Sequence, residues 1–431
     1  MLKYNGIAAI GAAIGMLNTI LTWKLFGATQ TADIWLIGLA VVSILSLLVL
    51  LGVEQFLVFY TSILTQRPDY AASFAFMAMI WSLLSGGLFA LGCFWMVDLL
   101  VSWFAGGLSE GAKQTAASVL VLLLPQVAVA PSLHITRGIL NAQGNYGRSY
   151  LLALITPSAL LSVLAYFSVV GGGGVLQLGF TVAVAAFLQL GICYTMVFRC
   201  LITSWNAKLM KEFRDFVVNS VTMRIGHSFH NLFVGLIINS TLSHQAIGMI
   251  SIFQYAKRFA DGVFTVTIGP HVGILLARQA SAWPDRNYTQ YKKNIKVYLR
   301  TISPLFFGSA ILVFLLIPML LEMMPRDGAE HAVGAIQITY AIFTVWQGLI
   351  ALEAVFVGVV TTARRSFILW GINCLFIVNF YLFSKYISES SPVWYLVAAA
   401  IFAQLISVGC FGVTALFLAK KQFYSSTLGR D

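Results

Sequence analysis

The sequence predicts an all-α polytopic membrane protein: about 12 transmembrane helices in two six-helix lobes around a central cavity. Composition, the recurrence of apolar runs and the placement of positive charge each lead there. Of 431 residues, 59% are hydrophobic and only 10% charged. Soluble domains carry about 45–50% apolar and about 25% charged residues. A chain so poor in charge cannot coat itself with a solvated surface. Apolar runs recur from end to end, so the surrounding solvent is lipid, and no soluble domain is left over.

Windows of about 19 residues place spans at 4–26, 33–62, 71–98, 114–140, 148–170 and 175–199. After a polar break come 216–238, 245–277, 298–322, 331–361, 366–386 and 392–419. The first apolar run, Ile7 to Phe26, is long enough to span, and no small-residue cleavage site precedes the next span. It therefore reads as a retained helix and not as a signal peptide. Several spans exceed the roughly 20 residues that a bilayer needs, which implies tilt or extension beyond the membrane. The Gly171–Gly174 run reads as a flexible turn in a short outer loop. No strand–helix unit surrounds it, so it is not a phosphate cradle.

The basic stretch Arg199–Asp215 is the longest break near the middle. It divides the chain into an N-terminal six-helix lobe (1–200), a cytoplasmic basic linker (201–215) and a C-terminal six-helix lobe (216–431). Weak echoes link the halves: Arg148-Ser149-Tyr150 with Arg365-Ser366-Phe367, and Gln66 with Gln279. Six helices per half imply a parallel repeat, an arrangement that builds a cavity and permits alternating access.

The net charge of +11 raises the question of nucleic acid, but the excess sits in short loops. The N-terminus, the even-numbered loops and the C-terminus, with the helix ends beside them, collect 19 of the 26 Lys and Arg residues. The opposite side has four, Lys24, Lys113, Arg326 and Lys385, and three lie within spans. The positive-inside rule then puts both termini in the cytoplasm, as an even number of spans requires. The expected location is the bacterial inner membrane, with membrane lipid and not nucleic acid as the surroundings. Cys93, Cys193, Cys200, Cys374 and Cys410 show no C-x-x-C spacing, so they read as small apolar side chains and not as a disulfide or metal framework.

Ionisable residues inside a bilayer cost several kcal/mol, so they face a cavity or each other. The seventh span carries Arg224, His227, His230 and Asn231, with Arg224, His227 and Asn231 on one face at i, i+3 and i+7. The eighth carries Gln254, Lys257, Arg258 and Asp261. The first half contributes Asp33, Glu54, His134 and Arg137, and Glu353 lies in the tenth span. These residues predict a polar cavity whose arginines hold phosphate through their planar forks of donors. The competing reading is structural pairing, for example Arg258 with Asp261, or snorkelling to an interface.

A family resemblance adds to this reading. The stretch Leu25-Phe26-Gly27-Ala28-Thr29-Gln30-Thr31-Ala32-Asp33-Ile34-Trp35 resembles the helix 1–2 junction of the lipid II flippases of peptidoglycan synthesis (the MviN/MurJ type). Tyr255-Ala256-Lys257-Arg258-Phe259, followed by Gly262-Val263, Gly269-Pro270 and a loop ending in Tyr291, is similar to their helix 8 signature. The turn Leu140-Asn141-Ala142-Gln143-Gly144-Asn145-Tyr146 is similar to turns across the wider MOP superfamily, which includes Wzx-type polysaccharide flippases and MATE drug exporters. The resemblance implies a MOP-type transporter fold with Asp33 and Arg258 lining its cavity. Two departures point away from lipid II itself. The helix 1 arginines of that family are replaced by Gly15-Met16-Leu17-Asn18-Thr19, and about 12 spans match the Wzx-type flippases better than the 14 of the lipid II type.

The implied function is translocation of an undecaprenyl-pyrophosphate-linked saccharide, a polysaccharide repeat unit or a peptidoglycan precursor, to the outer leaflet. Arg258 and Arg224 would bind phosphate. Asp33 and Glu54 would engage sugar hydroxyls or gating salt bridges, and Asp261, His230, His227, Lys257 and Asn231 complete the expected substrate-binding set. The partners implied are the polyprenyl-pyrophosphate-linked glycan, membrane lipid and other polysaccharide-assembly proteins. No cofactor or metal is implied beyond Na+ or H+ as coupling ion, with no site assigned. The rival reading is a MATE-type cation or drug exporter coupled to Na+ or H+, kept alive by Asp33, Glu54 and Asp261. A major-facilitator transporter lacks support, because the loop Thr65-Gln66-Arg67-Pro68-Asp69-Tyr70 does not carry the G-x-x-x-D pattern. An enzyme is disfavoured by loops too short to hold acid/base groups.

Overall fold

The computed structural model describes residues 2–53, 55–201, 206–269, 271–272, 275, 279, 288–322, 329–363, 365–387 and 390–424. Among them every extended element is helical, and the all-α expectation is met. Contacts divide the chain into two compact units, Met1–Ile250 and Ser251–Asp431.

The first unit begins with α1 (Leu2–Phe26), which stops at Gly27 with φ of 59°. Only glycine adopts that left-handed conformation without strain, and its N–H caps the Trp23 carbonyl at 2.7 Å. Thr29 then opens α2 (Gln30–Val49), placing Asp33 in its first turn. Next come α3 (Phe56–Gln66), α4 (Pro68–Trp95), the short α5 (Val97–Phe104), α6 (Glu110–Ala142), α7 (Tyr146–Val170) and α8 (Val175–Leu201). The helix α9 (Met210–Ser243) follows the basic linker and packs against α2 and α5.

Small residues set the closest helix approaches in this unit. A Cβ on Gly86 of α4 would meet the Ala128 carbonyl oxygen of α6 at 2.2 Å. Four residues before it Ser82 and Ser132 share a hydroxyl–hydroxyl bond of 3.0 Å. Close backbone approach with polar side chains bonded across it is how helices associate where lipid supplies no hydrophobic drive. At one end of the unit the buried rings of Phe56, Tyr60, Phe74 and Phe216 cluster with Phe213. Phe213 and Phe216 come from the first turns of α9, so this cluster anchors that helix.

One element departs from the sequence reading. The continuous helix expected over 33–62 is interrupted by a 3₁₀ turn at Leu50–Gly52 before α3 begins. Exposed backbone polar groups are costly in a bilayer, and side chains satisfy them here. Trp81 Nε1 donates to the Gly52 carbonyl (3.3 Å), and Ser220 Oγ accepts from the Gln55 N–H (3.0 Å). Gly52 also leaves room for the Trp81 indole, which a Cβ would meet at 3.1 Å.

The second unit contains most of α10 (Met249–Thr267), then α11 (Tyr288–Glu322), α12 (Ala329–Thr362), α13 (Ser366–Ser384) and α14 (Trp394–Tyr424). Its core gathers Val263, Ile268, Ile302, Phe306, Ala310, Ala351 and Val355. Two tyrosines of α11 and α12 donate to backbone carbonyls across the packing: Tyr298 to Ala351 (3.1 Å) and Tyr340 to Ala310 (3.0 Å). The loop expected to end at Tyr291 is already helical from Tyr288, with Tyr291 buried.

Among the described residues, ten helical stretches are long and apolar enough to cross a membrane. Of the twelve spans expected, those matching α9 and α10 are not among them. Each is long enough, at 34 and 19 residues. In α10 the polar set itself, Lys257, Arg258 and Asp261, lowers the apolarity, whereas α9 includes side chains outside the described residues.

Candidate functional site

The residues singled out from the sequence fall into two groups, one in each unit. In the first, the α1–α2 turn places Asp33 beside the turn that joins α9 to α10. Asp33 is 2% exposed, and its Oδ2 accepts the backbone N–H of Gly248 at 2.7 Å. Gly248 has φ of 91°, and a Cβ there would lie 2.6 Å from the Ala28 carbonyl oxygen. A second tie closes the same end: Gly107 N–H donates to Ser243 Oγ at 3.1 Å. Asp33 is thus engaged with backbone at a turn.

Along α9, Ser228 is buried against α2, its hydroxyl donating to the Leu47 carbonyl at 3.4 Å. His230 and Asn231, the next residues but one and two, are half-buried. Glu54 and the side chains of Arg224 and His227, also expected at the site, lie outside the described residues.

The second group is built on α10. Lys257 and Asp261, one turn apart, form an ion pair through Lys257 Nζ and Asp261 Oδ2. The other carboxylate oxygen of Asp261 accepts from Gln347 Nε2 of α12 at 3.0 Å. The pairing suggested from sequence was Arg258 with Asp261. The i, i+4 spacing of Lys257 wins instead, and Gln347 takes the second oxygen. Arg258 is half-buried and within the field of Asp261, yet no carboxylate of the described residues lies within ion-pair distance of it. Its guanidinium keeps donors available for a planar anion. Close by, the Oε1 of Gln347 is buried without a hydrogen-bond partner among the described residues, an acceptor in need of a donor.

Outside this set, α6 holds Arg137 over the Tyr150 ring (5.8 Å) and on Ser149 Oγ (3.4 Å), a structural use of its charge. Glu353 of α12 accepts from Gln404 of α14. Sequence reasoning missed Gln347 and Gln404. Each is an amide in an apolar run, and that was the only signal available.

No protein-family model matches the chain, and no curated protein does. Solved structures do. The chain is similar to the lipid II flippase MurJ in an inward closed conformation, with TM-score 0.75 and 12% identity over 99% of this chain and 91% of that one. It is equally similar to a multidrug-resistance MATE family transporter in an inward-facing conformation, with TM-score 0.75 and 14% identity over 95% and 96%. This chain has the MOP transporter fold.

A third MOP superfamily transporter, from Pyrococcus furiosus and described as having a binding pocket of reversed polarity, gives TM-score 0.66 at 14% identity over 97% and 96%. With its apolar helices and this fold, the chain is a multi-pass membrane protein. Flippase and drug exporter share the MOP fold, so the fold does not choose between them.

Proposed function

We propose that this MOP-fold protein is a flippase for a polyprenyl-pyrophosphate-linked saccharide, carrying the headgroup from the cytoplasmic to the outer leaflet of the inner membrane by alternating access. The six-plus-six helix repeat about the 201–215 linker supplies the moving parts in this reading, and both termini are cytoplasmic. The observation that carries it is Arg258: a guanidinium within α10, with the neighbouring carboxylate of Asp261 already held by Lys257 and Gln347. An exporter of cations needs surplus carboxylate, and on α10 the surplus is cationic. Arginine meets phosphate oxygens bidentately, at about twice the strength of a neutral hydrogen bond. The amide oxygen of Gln347, without a partner among the described residues, supplies an acceptor for a sugar hydroxyl. That binding-pocket polarity varies on this fold is stated for the Pyrococcus furiosus transporter, so local charge is the feature to weigh.

The test is a proteoliposome assay with a fluorescent polyprenyl-pyrophosphate-linked sugar, comparing wild type with Arg258→Ala. Protein-dependent translocation that collapses in a folded Arg258→Ala variant supports the reading. Wild-type protein that moves no lipid-linked sugar, but exchanges a cationic dye against sodium or protons, replaces it with drug export.

A further inference from the structure

Glu353 lies in α12, inside one of the stretches apolar enough to span the membrane. It is a partly buried carboxylate, and among the described residues no cation pairs with it. Its one bonding partner among them is Gln404 of α14, whose Nε2 donates to Glu353 Oε2. The direction of that contact is fixed from behind. Trp346 Nε1, a group that can only donate, gives its hydrogen to Gln404 Oε1 at 3.1 Å. The amide oxygen of Gln404 is therefore occupied, and its NH2 must face the carboxylate. The Trp346 ring is held in turn by stacking on Phe343, at 5.6 Å between centroids.

A further oxygen stands one turn along α14 from Gln404. It belongs to Ser407, which is 2% exposed, and this hydroxyl has no partner among the described residues. The two helices run with Glu353 against Gln404 and Phe356 against Gly412, where a Cβ would touch the Phe356 ring at 3.7 Å. Ser407 falls between those contacts.

Among the described residues, the titratable groups that the packed helices bring to this stretch do not pair with Glu353: Lys296 and Arg300, two residues either side of Tyr298 on α11, are exposed and form no ion pair with it. Tyr298 of α11 spends its hydroxyl on the Ala351 carbonyl, and Cys410 of α14 and Cys374 of α13 are thiols. Asp261 of α10, bonded to Gln347 of α12, is paired with Lys257. His331 sits at the start of α12, six turns away by helix geometry of about 3.6 residues per turn. An ionised carboxylate left in this setting without a cation is costly.

We infer that Glu353, oriented by Gln404 and Trp346, with the Ser407 hydroxyl one turn along α14 from Gln404, is a reversible proton-binding site within the second unit. The step is simple: the carboxylate takes one proton from water and becomes a neutral carboxylic acid, whose O–H then has Ser407 Oγ as a potential acceptor. A metal cation fits poorly, because the third oxygen it would use, that of Gln404, is turned away and bonded to Trp346. Nor does any group of three or more His, Cys, Asp or Glu residues among those described offer a metal cage. The site stands whichever cargo the protein carries, and its failure leaves the reading of Arg258 untouched.

Infrared difference spectroscopy of the full-length purified protein tests it, through the C=O stretch of protonated carboxyl groups followed against pH. A band that titrates in wild type is expected to vanish in Glu353→Gln. In Gln404→Leu, which removes the donor to the charged form, the same band should persist to higher pH. Absence of any Glu353-dependent band across the pH range in which the protein stays folded overturns the inference. So does a band abolished by replacing choline with sodium, which would make the site one for a metal cation. If Glu353→Gln does not fold, the Gln404→Leu titration decides alone: a shift upward supports the site, and an unmoved band overturns it.

Discussion

Asp33 invites a decisive perturbation, because its sequence context and its geometry suggest different uses. The resemblance implies a cavity residue, whereas its carboxylate is 2% exposed and bonded at 2.7 Å to the Gly248 N–H. Replacing it with alanine strands that N–H in a buried setting. A hydrogen bond to a charged group contributes about 1.5–3 kcal/mol, and orphaning a buried donor costs at least about 1–3 kcal/mol. Asp33→Ala is therefore expected to lose about 2–3 kcal/mol of stability. Asp33→Asn keeps a neutral acceptor and should lose about 1 kcal/mol. Gly248→Ala attacks the same tie from the other side. Its φ of 91° suits glycine, and the new Cβ would sit 2.6 Å from the Ala28 carbonyl, a strain of at least about 1–3 kcal/mol.

If the two residues form one tie, their effects are not additive. The double variant should cost less than the sum of the singles by about 1 kcal/mol or more, as coupled neighbours do. The assay is the unfolding midpoint in detergent for the wild type, both singles and the double, alongside binding of the lipid-linked sugar to each. Additive losses, or an Asp33→Ala variant of unchanged midpoint with weakened sugar binding, would refute the structural tie and return Asp33 to the substrate site.

Other consequences are open to the same methods. Phe216→Ala, removing a fully buried ring that contacts Phe56 and Phe74 at 6.1 and 5.7 Å, should destabilise the first unit by about 3–5 kcal/mol, read as a lowered midpoint. Arg67→Ala breaks an ion pair with Glu212 whose side chains are 58% and 34% exposed, so a change below about 1 kcal/mol is expected in the same measurement. Gly86→Leu would drive a side chain into the Ala128 carbonyl, and folded protein recovered by size exclusion should fall sharply. Export of an anionic headgroup should quicken when the vesicle interior corresponding to the cytoplasm is made negative, since each charge gains roughly 2.3 kcal/mol per 100 mV. A rate indifferent to a potassium–valinomycin potential would count against net movement of negative charge.

What the sequence discloses depends on whether a feature is written in one helix or between several. Helices embedded in lipid announce themselves by composition, and the polar residues of α10 stand out because lipid penalises them. The break between α2 and α3 is different. Gly52 in an apolar run is compatible with an unbroken helix, and the groups that satisfy the opened backbone, Trp81 and Ser220, come from 29 and 165 residues away in the hydrogen-bond pairs they form. The same holds for Asp261: helix periodicity brings both Lys257 and Arg258 near it, and only Gln347, from another helix, completes the set that leaves Arg258 to other work. Phe213 and Phe216, just beyond the polar linker, are buried in the aromatic cluster of the first unit. Ring packing, which has no signature along the chain, therefore helps decide which neighbours α9 keeps, as it lies along α2 and α5.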